Sequence, residues 1–402
     1  MNIIIAMDSF KGSLSSLEAG NITARAAHAV FPDAAIQVFP LADGGEGTLE
    51  ALTQGLDGEI ISLPVTGPLG DRISSRYGLL PRTNTAVLAM ADAAGLTLVP
   101  QEKRNPLHTT TYGLGELILS AAKRGCRDFI IGLGGSATND CGLGMLTALG
   151  VRFLQADGRP AGIMGQDLAT VAQIDDSQLA PIVRQCRFRI ACDVTNPLYG
   201  PQGCSAVFAP QKGASPAIVR DMDTAIQSFA EKTAQQLGHT GASLPGAGAA
   251  GGLGYAFQAF LGASLEPGTP LILDAIGIRT ALSTASLVIT GEGRMDGQTA
   301  MGKAPIGIAA LAKALQPAAC VIAFCGCALP DADAVNAHGI DAYFPILRQP
   351  MDLAAAMEPH TAAENLLRSA AQALRLLRHP LPRCLFANKG PPAGEPFFHL
   401  PC

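Results

Sequence analysis

Hydrophobic residues along the 402-residue chain fall into short unbroken runs, each followed by glycine and polar residues before a periodic segment begins. Asn2–Met7 is apolar almost throughout, the pattern of a strand buried on both faces. Ser15, three residues ahead of Glu18, predicts a capping box opening a helix that runs to about Val30 and stops near Pro32. A second strand is expected over Ala35–Pro40, a helix over about 48–55, and a third strand over 59–65. From Thr66 the texture changes. Turn residues at 66–71 precede two runs, 72–80 and 86–90, that predict antiparallel strands. A helix follows over 111–124, strands over 128–133 and 188–194, and helices over Pro216–Leu237 and 251–261. The opening texture returns in strands at 286–290, 319–324 and 342–347, with a helix over 305–314.

This alternation predicts an α/β protein of two α/β domains. Residues 1–64 and 286–380 would form a discontinuous Rossmann- or flavodoxin-like parallel-sheet domain, and 65–285 an inserted α/β domain. Residues 381–402 follow no period and read as an unstructured tail.

Composition narrows the class. Hydrophobic residues make up 48% and charged residues 15%, which excludes a disordered chain. A net charge of −5 with no basic run argues against a nucleic-acid partner. No apolar run is long enough to span a membrane, and the N-terminus lacks the pattern of a signal peptide. The ten cysteines form no CxxC pair, and Cys325-Gly326-Cys327 is the one close pair; reduced thiols in a cytoplasmic protein are the expectation.

Five polar, glycine-rich loops follow predicted strands, where the ligand crevice of an α/β sheet lies. Asp8-Ser9-Phe10-Lys11 places a carboxylate and an ammonium ahead of a helix. Asp43-Gly44-Gly45-Glu46-Gly47-Thr48 could hold a hard cation or let phosphate approach the backbone. Gly134-Gly135-Ser136-Ala137-Thr138-Asn139-Asp140 offers bare N–H groups and hydroxyls for phosphate. Asp193 closes an apolar strand before Val194-Thr195-Asn196-Pro197, with Lys212 further on; an Asx-turn would also account for it. Gly291-Glu292-Gly293-Arg294-Met295-Asp296 puts acids beside a base.

Two look-alikes need separate treatment. Gly246–Gly251 fits G-x-G-x-x-G, but no buried strand precedes it, so dinucleotide binding is not expected. Gly248 and Gly251 stay as candidates for a phosphate-binding helix entry. The 297–303 segment nearly spells a P-loop but has Ala304 where the metal-binding hydroxyl belongs, leaving Lys303 as a phosphate ligand. Polyphosphate cradles, carboxylates for Mg²⁺ and cations for phosphoryl oxygens are together what phosphoryl transfer needs.

These blocks resemble the bacterial type I glycerate kinases over roughly residues 1–375. The resemblance is carried by Asp8-Ser9-Phe10-Lys11, by Ala42 through Thr48, by Gly134 through Asp140, and by Ala191-Cys192-Asp193-Val194-Thr195-Asn196-Pro197-Leu198. Pro210-Gln211-Lys212-Gly213 and Ile289-Thr290-Gly291-Glu292-Gly293-Arg294 complete it. It implies phosphorylation of D-glycerate by ATP with Mg²⁺, at the 2-hydroxyl, in a cleft between two domains. Family members commonly serve glyoxylate, glucarate or galactarate breakdown. A homodimer is compatible with it. On this reading Asp193 or Asp8 accepts the hydroxyl proton, and Lys11 and Arg294 hold substrate carboxylate or phosphoryl oxygens. Asp43, Glu46, Glu292 and Asp296 are the metal candidates. Ser9, Gly134, Gly135, Ser136, Thr138, Asn139, Asp140, Lys212, Gly248, Gly251 and Lys303 would bind phosphate or substrate. One departure stands out: Cys141 occupies a position where the family pattern leads us to expect glycine. Two rival classes are an NAD-linked hydroxy-acid oxidoreductase and a non-catalytic two-lobed protein that binds small anions. Six acids at strand ends count against the anion binder, since they repel an anion unless a metal intervenes.

Overall fold

The computed structural model describes residues 1–378 apart from Glu46, so the expected tail and the Glu46 metal assignment lie outside the described residues. In chain order the strands are β1 (Asn2–Met7), β2 (Ala35–Pro40), β3 (Glu59–Thr66), β4 (Arg72–Leu80), β5 (Thr85–Ala89) and β6 (Asp128–Gly132). Then come β7 (Arg152–Leu154), β8 (Gln173–Asp175), β9 (Arg187–Ala191), β10 (Ser264–Glu266), β11 (Leu287–Met295), β12 (Cys320–Ala328) and β13 (Ala342–Pro345). They form a five-stranded sheet, β13-β12-β11-β1-β2, a six-stranded sheet, β10-β9-β6-β5-β4-β3, and the pair β7-β8.

The first sheet is parallel throughout. Numbered within itself, its order is 2-1-3-4-5, the flavodoxin-like arrangement, with the switch point between β1 and β11. The central strand explains the unbroken apolar run: Ile3, Ile4, Ile5, Ala6 and Met7 are all at most 1% exposed. Each large side chain buried this way contributes about 1.5–3 kcal/mol. Ile3, Ile5 and Met7 face a core closed by helices Ser16–Val30 and Pro359–Arg378. Ile4 and Ala6 face a core that also holds Val87, Ile130 and Ala191 of the six-stranded sheet, so the two sheets share apolar packing. The Ser15–Glu18 capping box forms as expected.

In the second sheet β5, β6, β9 and β10 run parallel, while β4 pairs antiparallel with β3 and β5. Strand β3 therefore belongs to the six-stranded sheet, and the chain passes from one sheet to the other ahead of Glu59. Alternating polarity identifies a strand but not its partner, and pairing decides the sheet.

The carboxyl ends of both sheets meet at the loop after β2. A Cβ on Gly132, at the end of β6, would lie 2.4 Å from Gly44 O, and one on Gly268 would lie 1.9 Å from Asp43 O. Only glycine admits that approach. All eight cysteines of the described residues are free thiols. No helix among the described residues is long and apolar enough to cross a membrane.

Candidate active site

Asp8 is the first residue beyond β1. Its N–H donates to Gly291 O at 2.8 Å, continuing the pairing with β11. The residue is 7% exposed, and its Oδ1 accepts one hydrogen bond from Ser9 N–H at 2.7 Å. Asp43 Oδ1 accepts from Gly45 N–H at 2.9 Å. Across from them, Asp193 Oδ1 accepts from Gly268 N–H at 2.9 Å beyond β9 of the second sheet. Glu292 is buried, and its Oε1 accepts from Thr299 Oγ1 at 2.6 Å.

These acids sense one another. Burial and then the Asp43 carboxylate push Asp8 up to about 7, with Glu292 adding to the rise and Lys11 opposing it. Burial raises Glu292 and Asp193 too, and Asp43 adds to both. Asp43 is thus the common neighbour of three carboxylates drawn from two sheets. Like charges in low-dielectric surroundings repel strongly, so this arrangement favours a proton or a cation.

Glu292 and Arg294 do not sit on a loop as their glycine neighbours suggest. Strand β11 continues through Met295, with Glu292 paired to Cys325 and Arg294 to Cys327 of β12. Arg294 projects outward with a side chain 62% exposed, and its Nε lies 3.1 Å from Asp296 Oδ2. Lys303 Nζ lies 3.8 Å from Glu292 and 3.5 Å from Asp296. Asp296 Oδ1 also accepts from the N–H groups of Gln298 and Thr299. Burial pushes Asp296 up, but Lys303, the Thr299 N–H and Arg294 outweigh it and hold it below its ordinary value. Asp296, a metal candidate in the sequence, anchors the turn that presents Thr299 and Lys303. Among the described residues no three His, Cys, Asp or Glu side chains are placed to hold a metal ion by themselves.

Two cavities open at the sheet ends and share Gly44, Gly45, Gly134 and Gly135 in their walls. The larger, about 630 Å³, takes in Asp8, Ser9 and the starts of helices Ser16–Val30 and Thr48–Gly55. The smaller, about 430 Å³, takes in Asp43, Ser136, Asp193, Lys212 and Ala250.

The 134–140 loop divides at Ser136. Gly134, Gly135 and Ser136 reach the cavities, whereas Thr138, Asn139 and Asp140 are fully buried. Asp140 accepts hydrogen bonds from Thr111 N–H, Thr111 Oγ1, Gly142 N–H and Gly144 N–H at 2.7–3.3 Å. Asn139 Nδ2 donates to Ser205 Oγ at 2.9 Å. These two, expected as phosphate ligands, fasten the loop from behind. Lys212 is 2% exposed, and its Nζ donates to Ser136 Oγ at 2.7 Å and to Thr138 O at 2.6 Å. Gly248 and Gly251 line neither cavity: Cβ atoms there would strike Pro197 O and Thr138 O at 2.3 and 2.2 Å. They are contact points for backbone. Cys141 has φ of 49°, the left-handed region glycine adopts most easily, which gives the departure noted in the sequence a physical meaning. Lys11 is exposed and acts on Asp8 at a distance through its charge.

Sequence reading missed Arg76, Glu50 and Asp92, which all line the larger cavity. Arg76 Nε donates to Asp92 Oδ2 at 3.0 Å, and its Nη2 donates to Glu50 Oε1. No local motif marks them, because they meet only when β4 is laid against two helices.

Comparison with known proteins identifies the family. A model of the glycerate kinase family matches residues 3–378. The chain is 45% identical over 377 residues to a glycerate kinase of Haemophilus influenzae, covering 94% of this chain and 99% of the relative. It is 46% identical over 347 residues to the glycerate 2-kinase of Escherichia coli K12, covering 86% and 91% of the two. The crystal structure of a Salmonella typhimurium LT2 protein assigned to glycerate kinase 2 matches with a TM-score of 0.87 at 44% identity, over 94% of this chain and 98% of that one. A family model over nearly the whole chain and relatives at about 45% identity settle the kinship: the chain belongs to the glycerate kinase family.

Proposed function

We propose that the chain transfers the γ-phosphoryl group of ATP to the 2-hydroxyl of D-glycerate, giving 2-phosphoglycerate and ADP. The reaction would take place in a cleft between two α/β domains, one built on each sheet, with the boundary ahead of Glu59. The observation that carries this reading is the convergence of Asp8, Asp43 and Glu292 with Asp193, beside two cavities that share glycine backbone. Phosphoryl transfer needs positioned reactants and compensated charge more than covalent help from the protein. Backbone at Gly44, Gly45, Gly134 and Gly135 lets phosphate oxygens come close, and Ser136 Oγ, held by Lys212, adds a hydroxyl. Lys303 and Arg294 bring cations to the Glu292 side, and Lys11 brings one to Asp8.

The donor set fits Mg²⁺ as the partner of a nucleotide. Mg²⁺ keeps several waters and takes one or two carboxylates plus phosphate oxygens. Mutual repulsion around Asp43 is what a divalent ion would relieve. Asp43 and Glu292 are the residues that would hold it. When bound, it would neutralise charge on the transferring phosphates and orient them.

Of the two candidates for the proton of the attacking hydroxyl, we favour Asp8. Its carboxyl lines the larger cavity and is pushed to about 7, where a group can accept a proton and release it near neutral pH. Asp193, held by Gly268 N–H, is the second. Phosphorus NMR of protein, D-glycerate and ATP, with and without Mg²⁺, tests the proposal. A 2-phosphoglycerate resonance that requires metal is the expected result. A 3-phosphate would keep the kinase and overturn the position, and no product would overturn the substrate.

A further inference from the structure

The triad of Arg76, Glu50 and Asp92 joins the two glycine loops on which both cavities depend. Glu50 lies in the first turn of helix Thr48–Gly55, whose entry is the 43–47 loop, and Thr48 N–H donates back to Gly45 O at 3.3 Å. Asp92 lies in the short helix Ala91–Ala94, and the segment around it grips the other loop. Ala137 N–H donates to Ala94 O at 2.9 Å, and Leu96 N–H donates to Gly135 O at 2.8 Å. From β4, Arg76 reaches both acids, while its neighbour Ser75 donates through Oγ to Asp92 O at 2.7 Å. Arginine suits the task because its planar fork can serve two carboxylates at once, where a lysine ammonium is a single point charge. The charge matters as well. Glu50 and Asp92 are half-buried in the wall of the cavity, and without Arg76 both would present negative charge to an incoming anion.

We propose that Arg76 is a positioning residue: by holding Glu50 and Asp92 it sets the separation of the 43–47 and 134–137 loops and covers two carboxylates that would otherwise repel anionic substrates. The kinetic part of this inference rests on the kinase reading; the loop spacing does not. A tie that serves only the fold would lower stability and leave the kinetics of the folded protein alone.

Three variants separate these cases: Arg76→Met, Arg76→Lys, and the neutral triple Arg76→Met/Glu50→Gln/Asp92→Asn. In Arg76→Met we expect kcat to fall by about tenfold or more as the loops lose register. KM for ATP and D-glycerate should rise roughly fivefold, and less in high salt. The triple variant should recover KM and keep the low kcat. Arg76→Lys, which retains one ion pair and the charge, should lose kcat with KM near that of the native protein, and it serves if Arg76→Met does not fold. Kinetics within about twofold of native in every folded variant would overturn the proposal. Hydrogen exchange gives a readout that needs no substrate: amides of both loops, 43–48 and 134–137, should exchange faster together in Arg76→Met or Arg76→Lys. Protection unchanged in either loop overturns the proposal even if native protein shows no turnover of D-glycerate, a result that would by itself count only against the kinase reading.

Discussion

Asp8 and Asp140 each lie in the first loop beyond a parallel strand, and both are buried, yet their surroundings are opposite in kind. Asp140 accepts four hydrogen bonds, from Thr111, Gly142 and Gly144. Asp8 accepts one, from Ser9, and has Asp43 and Glu292 for neighbours. Burial raises the pKa of both. For Asp140 the donors push back; for Asp8 the neighbouring acids push further, to about 7. A buried carboxylate wrapped in donors fastens structure. One left among other acids is poised to take a proton or a cation. The same residue type, in similarly glycine-rich sequence, serves one end in the first sheet and the other in the second.

The sharpest way to break this contrast is Asp8→Asn. If Asp8 accepts the hydroxyl proton, turnover should drop by about 10²–10⁴-fold. The native protein's kcat/KM should climb with pH to a plateau above about 7, and the variant should lose that limb. Stability should move the other way. The folded pKa of Asp8 lies above its unfolded value of 3.8, so the fold prefers the protonated acid, and stability is lost as pH rises from there to about 7. Asparagine carries no such penalty. At pH 8 the variant should therefore be the more stable protein, by at most about 4 kcal/mol, with the gap closing near pH 4. Urea titrations at both pH values measure it. A variant that is inactive and also less stable at pH 8 would remove the idea that Asp8 is strained for function.

Asp140→Ala is the mirror experiment. Removing the carboxyl group leaves four buried donors without their acceptor, and a loss of about 3–5 kcal/mol is expected, largest at low pH because burial raises this acid above its unfolded value. Whatever folds should keep the native pH–rate profile. A variant as stable as the native protein but inactive would move Asp140 from fastening to chemistry.

Much of this architecture is legible in sequence because it is written locally. The unbroken apolar run of β1 marks a central strand, and Ser15 with Glu18 marks a helix start. The glycine loops mark where backbone must come close. What escaped reading depends on partners distant in sequence. Glycines at 291 and 293 suggest a loop, but pairing with β12 carries β11 on to Met295. The alternation of β3 gives no sign that it will join β4 in the six-stranded sheet. Arg76 looks like any exposed strand arginine until Glu50 and Asp92 flank it. Motif reading grouped Thr138, Asn139 and Asp140 with Gly134 and Ser136, because adjacency in sequence says nothing about which side chains turn inward.

Lys212 extends the comparison to a buried charge of the opposite sign, with a smaller expected effect. Like Asp140 it is partnered, holding Ser136 Oγ and Thr138 O, but like Asp8 it lies in a cavity wall. Burial pulls its ammonium from 10.5 down to about 8. The folded protein therefore releases this proton before the unfolded chain does, and the stability linked to it rises as pH goes from about 8 to about 10.5. In Lys212→Met that rise should vanish, and at neutral pH the loss of two hydrogen bonds and the relief of a buried cation should cancel to within about 1 kcal/mol. Turnover should still drop roughly tenfold, because Ser136 loses the donor that aims it. Urea titrations at pH 7.5 and 9.5, run beside the native protein, carry the test. Parallel curves would mean that Lys212 titrates as an exposed lysine does, and unchanged turnover would mean that Ser136 needs no holding.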